Sequence, residues 1–262
     1  MHKSQFLLLL FLLFAAFASK NFFIWPAVSG KTPIKLRHVL IGVGLLIFGF
    51  FFDHTLSSLS SQTPELTPIL YSLFLAFAFL FYLFLLPLNI TRVILFSGDK
   101  PLATIWQAIL SSLRMWIILI PVTQLIGIIL NKFLILIIPI QNLHVQEITT
   151  KIQNVSFLTG KHMSFLLAIG VLTPFFEEVF FRGFLQTFLK NKLSRGWALF
   201  YTSIIFALSH VESSLGSLVF VPMIFVFSLF AGFLYEKERQ ILAPIVLHML
   251  FNLTTFFFME VT

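Results

Sequence analysis

Residues 172–183 read LTPFFEEVFFRG, which sets two adjacent carboxylates and a guanidinium among four phenylalanines. Two further polar islands follow in equally oily surroundings. One is His210 at the end of FALSH (206–210), and the other is His248 with Asn252 in HMLFN (248–252). This set suits hydrolysis by activated water. A buried glutamate such as Glu177 can act as general base, and His210 can hold the same water and move a proton. His248 and Asn252, four apart on one helical face, offer two donors to an oxyanion. No cofactor is favoured, although Glu177, His210 and His248 with an open position could also hold zinc, without an HExxH motif to support it. Cysteine is absent, and no Ser or Lys stands at a convincing spacing from a base, so nucleophilic catalysis has no candidate.

These residues need elements to position them, and the composition says of what kind. Of 262 residues, 58% are apolar and 10% charged, with 36 phenylalanines. A soluble domain is about 45–50% apolar and about 25% charged, so this chain belongs in a lipid bilayer. The +7 charge comes from basic residues scattered over short loops, which points to membrane orientation and favours no nucleic-acid partner. Spans of about 17–25 residues are expected near 5–19, 37–53, 68–90, 103–130, 164–188, 197–212, 217–235 and 241–258. The fold class is therefore an all-α, polytopic transmembrane bundle of about eight spans with a polar intramembrane cavity. Eight spans put the basic loops 20–37, 91–101, 189–196 and 236–240 on one face, taken as cytoplasmic. Loop 131–163 is awkward, because it carries Lys132, Lys151 and Lys161 on the other face. FLILIIPI (133–140) is too short to cross alone and reads as re-entrant or interfacial.

At the N-terminus, residues 6–18 with Ala16-Phe17-Ala18 fit a signal peptide. Cleavage would leave Lys20, Lys31, Lys35 and Arg37 outside, so a retained first helix is favoured. Pro121 is expected to interrupt the fourth segment, and Pro174 to kink the fifth or delay its start. His2, His38, His54, His144 and His162 read as solvated, Glu212 as a loop residue, and Arg114 as snorkelling or paired.

A lone charge in mid-membrane costs about 2.5–3.5 kcal/mol, so Glu177, Glu178 and Arg182 together approach roughly 10 and must pair or face a cavity. Glu178 and Arg182, four apart, favour an ion pair. Glu177 lies about 100° round from Glu178 and stays available. Plainer roles remain open for each: a locking ion pair, a cap, an interface histidine, and interhelical hydrogen bonding by His248 and Asn252. A catalytically silent immunity or scaffold protein and a proton-coupled transporter are the alternatives to an enzyme.

The three motifs EEVFFR (177–182), FALSH and HMLFN, with AGFLYEKERQILAPIVLH (231–248), resemble the CAAX-protease and bacteriocin-processing (CPBP, Abi) intramembrane proteases. The resemblance covers roughly 165–258. It implies a catalytic core over 161–262, preceded by an N-terminal transmembrane region over 1–160 of about four helices and a long loop. It also implies that Glu177 and His210 activate water, that His248 and Asn252 stabilise the oxyanion, and that Glu178 and Arg182 support the site. The implied substrate is a membrane-associated protein or peptide, prenylated in the eukaryotic branch. The cysteine-free, Phe-rich chain looks like a bacterial-type member of a cell membrane.

Overall fold

The computed structural model of the chain describes residues 3–27, 30–59, 66–96, 103–137, 165–211 and 220–261. Every regular element among them is helical: α1 (Lys3–Ser19), α2 (Leu36–Leu59), α3 (Thr67–Leu85), α4 (Leu88–Leu95), α5 (Ala103–Ile137), α6 (165–189), α7 (Arg195–Leu208), α8 (Phe220–Glu238) and α9 (Leu242–Val261). Among the described residues β pairing is confined to an isolated antiparallel bridge, Phe96 with Gln240. Lipid offers no partners to backbone N–H and C=O groups, and a helix satisfies them within itself. Four helices are long and apolar enough to cross a membrane: Leu36–Ser58, Thr67–Leu85, Ile105–Leu130 and Phe220–Glu238. Arg195–Leu208 and Leu242–Phe256 are shorter apolar helices.

Each expected span contains one helix, with corrections at the prolines. The 68–90 segment is two helices, because Pro87 forces Leu86 into extended backbone (ψ 148°) and then starts α4. Pro121 does not interrupt α5, which runs through it to Ile137 and takes in the first part of FLILIIPI. Helix interiors in apolar surroundings tolerate proline when neighbours re-satisfy the freed groups. Pro174 does not start a helix either, since the chain is already helical from 165. The rest of the 131–163 loop, loop 213–216, Glu212, His2, His144 and His162 lie outside the described residues. His38 is buried rather than solvated, and its Nδ1 accepts the Lys35 N–H at 2.9 Å at the start of α2.

Helix α6 is the axis of the fold. It is α-helical with two π-helical stretches, Ala168–Leu172 and Val179–Gln186, and all of Val179–Gln186 is buried. Helices α2, α3, α4, α7, α8 and α9 pack against it. Gly183 admits α4, whose Ile94 Cγ2 would lie 2.6 Å from an added Cβ. Helices α6 and α8 run parallel, and polar pairs join them at four-residue steps. Arg182 reaches Ser228, Gln186 donates to the Gly232 carbonyl and to Glu236, and Lys190 pairs with Glu236 at 2.8 Å.

The basic loops do gather at one end. Arg195 donates to the Pro26 carbonyl, Lys237 to that of Phe22 and Arg239 to that of Ala27, at 2.7–2.9 Å. Arg114 donates to the carbonyls of Ala18 and Lys20 at the same end.

Close packing at Gly232 gives the first prediction. An added Cβ would collide with Leu199 and stand 2.6 Å from Gln186 Oε1, whereas one at Gly44 meets nothing within 4 Å. Overpacking costs about 1–3 kcal/mol. Thermal unfolding in detergent should therefore show a lowered Tm for Gly232→Ala and none for Gly44→Ala.

Candidate functional site

Of the sequence-predicted residues, Glu177, Glu178, Arg182, His210 and His248 meet where α6, α9 and the end of α7 come together, and Asn252 lies one turn on from His248 along α9. Glu178 Oε1 accepts Arg182 Nη1–H at 2.9 Å, and both side chains are fully buried. The same oxygen receives His248 Nδ1–H at 2.8 Å. A carboxylate that already takes a guanidinium can only accept, so the Nδ1 hydrogen of His248 is committed to it. Arg182 is held further by Ser228, through Oγ at 2.9 Å and the carbonyl at 3.2 Å. Its guanidinium lies 4.7 Å from the Phe206 ring centroid, a cation–π contact.

Glu177 takes no part in this pair. Its Oε2 lies 3.8 Å from His210 Nε2 and 3.8 Å from His248 Nε2. It is buried and has no hydrogen-bond partner among the described residues. These separations are too long for direct hydrogen bonds and short enough for one water to bridge. His210 stands two residues beyond the end of α7, where its Nδ1 meets the Phe206 carbonyl at 2.7 Å. A carbonyl only accepts, so Nδ1 carries the hydrogen and Nε2 of the neutral ring is an acceptor. Phe227 packs on the other imidazole, 4.7 Å between its ring and that of His248.

Asn252 has a structural duty that its spacing did not reveal. Thr173 N–H reaches back five residues to the Ala168 carbonyl. In that π register residue 174 would serve Ile169, and a proline has no N–H to give. Asn252 Nδ2 donates to the Ile169 carbonyl instead, at 2.9 Å. One of its two amide hydrogens is thereby used.

The zinc alternative fares poorly on geometry. Bonds of about 2.0–2.1 Å at tetrahedral angles place donor atoms about 3.3–3.4 Å apart. Both separations from Glu177 Oε2 are longer, and no group of three or more His, Asp or Glu among the described residues is placed to hold a metal ion. As arranged, the donors do not fit the ion.

Residues 159–254 match the family model described as type II CAAX prenyl endopeptidase Rce1-like. No curated protein and no solved structure matches the chain. The matched region holds every residue of the cluster, and it meets α3 from the N-terminal half, where Ser72 Oγ and Thr173 Oγ1 lie 3.1 Å apart. Ser228 escaped the sequence reading, since a serine is ordinary in a membrane helix. Its one signal is the four-residue step to Gly232, matching Arg182 and Gln186 on α6. Tyr71 also escaped it; the ring stands edge-on to Phe176, 6.2 Å away.

The two carboxylates should separate in stability measurements. Removing one partner of a buried pair costs about 3–5 kcal/mol. Arg182→Leu is expected to destabilise the detergent-solubilised protein by that order, read as a clearly lowered Tm. Glu177→Gln, which breaks no ion pair at hydrogen-bond distance, should leave it near wild type. Equal losses would contradict the division.

Proposed function

We propose that the protein is a multi-pass integral membrane endopeptidase. It hydrolyses a peptide bond of a membrane-associated protein or peptide, with residues 161–262 as catalytic core and 1–160 as the N-terminal transmembrane region. The observation that carries this reading is Glu177 Oε2 at 3.8 Å from two imidazole nitrogens. A water held there gives one hydrogen to Glu177 and rests its other on His210 Nε2. Its oxygen attacks the scissile carbonyl carbon as Glu177 takes the proton. The oxyanion is received by His248 Nε2–H, which requires the imidazolium form because Nδ1 is committed to Glu178, and by the second amide hydrogen of Asn252. Collapse breaks the C–N bond, and the proton held by Glu177 passes to the leaving nitrogen. Glu178 and Arg182 hold His248 in place and touch no substrate.

The name of the matching family supports a prenylated, C-terminal substrate. The composition supports a bacterial cell membrane as the setting. A panel of labelled peptides, lipidated and plain, offered to the purified protein tests both substrate class and mechanism. General-base removal costs about 10²–10⁴ in rate. Glu177→Gln should lose activity by that factor while keeping its Tm. Wild-type turnover should survive a strong chelator. Cleavage by Glu177→Gln at the wild-type rate would end the proposal, and loss with chelator would move the water onto a metal.

A further inference from the structure

A cavity of about 580 Å³ opens at the basic end of the bundle, away from Glu177. Its wall carries Lys31, Lys190 and Arg195, with Trp25 and Ser194 beside them. Of the three cations, Lys190 faces an acid, Glu236, at 2.8 Å. Arg195 is turned by a carbonyl and an aromatic face, donating to Pro26 at 2.8 Å and stacking 4.6 Å from Trp25. Lys31 is exposed and has no ion pair among the described residues. Three positive charges against one negative leave the cavity cationic.

The walls are fixed. Asn191 Oδ1 accepts the Thr32 N–H at 2.8 Å, and its Nδ2 donates to the Thr32 and Ile34 carbonyls at 3.1 and 3.0 Å. These bonds tie the 30–34 strand of chain to the turn between α6 and α7, so Lys31 and Lys190 keep their spacing. Ser194, the residue before α7, caps the helix with its carbonyl alone, and its hydroxyl makes no cap bond and stays available. Trp197, Phe200 and Tyr201 on α7 are exposed and continue the apolar surface from the cavity edge, beside Leu193.

We propose that this cavity binds a phosphoryl group, presented by an anionic phospholipid whose chains lie along the aromatic face of α7. Cations, a hydroxyl and an interfacial tryptophan are the groups that receive a lipid phosphate at a membrane surface. The binding is independent of the proposed hydrolysis.

The test uses the full chain in phosphatidylcholine nanodiscs doped with phosphatidylglycerol, reading the immobilised fraction of spin-labelled phosphatidylglycerol against that of spin-labelled phosphatidylcholine. One basic residue near a surface is worth about fivefold in association. Lys31→Gln should cut the preference by about that factor with Tm unchanged, while Arg92→Gln, an exposed charge at the same end, should change it little. A second arm adds inorganic phosphate. Resistance to displacement assigns the site to the lipid, and Lys31-dependent displacement assigns it to phosphate from solution; both keep the phosphoryl site. Equal effects of Lys31→Gln and Arg92→Gln, or none from either, would overturn it.

Discussion

One carboxylate oxygen organises the interior. Glu178 Oε1 takes a hydrogen from Arg182 on its own helix and another from His248 on α9. A buried charge in this apolar setting is costly unless paired and hydrogen-bonded, so neither donor can leave without exposing it to a strong penalty. Arg182 must in turn place its other nitrogen, and Ser228 on α8 receives it, while Phe206 on α7 covers its face. Four helices are thus oriented by the demands of one ion pair. The result is a His248 ring whose Nε2 is aimed at Glu177, the carboxylate that the pair leaves out.

The backbone of α6 obeys the same rule. Polar groups inside a membrane protein need partners, and the π stretches create an unusual set of them. Thr187 Oγ1 donates to the Arg182 carbonyl five residues back, and Asn252 donates to the Ile169 carbonyl that Pro174 cannot serve. The two irregular stretches bracket Glu177 and Glu178. They widen the helix where the bulky Phe180, Phe181 and Phe184 must all be buried at once.

Much of this was legible from residues, for identifiable reasons. Long apolar runs are costly anywhere but in lipid, so each expected span holds a helix, and the polar trio stood out because charge at that depth is expensive. The i,i+4 pairing of Glu178 with Arg182 survives the local π geometry. What was not legible depends on tertiary context. Helix α4 mixes Asn, Thr and Arg into eight residues and reads as loop, until Ile94 is seen against Gly183. His38 looks like a loop-edge histidine, yet its ring nitrogen caps α2. Pro121 and Pro174 read as breaks because proline lacks a donor, and the packing around them removes the consequence. No sequence pattern marks a π turn.

The site joins a sealed half to a wet half. Glu178 and Arg182 have no exposed side-chain surface, Glu177 has 15% and His210 has 30%. The order matters for the proposed chemistry. A base hidden as deeply as Glu178 would be locked in its ion pair and could meet neither water nor substrate. A base as open as a surface glutamate would gain nothing from a fixed imidazole geometry. Glu177 sits one residue from the locked carboxylate, so it inherits the rigidity of that pair through the helix backbone while its own Oε2 stays unbonded. Rigidity and availability are opposed in a single residue, and the adjacent glutamates supply them separately.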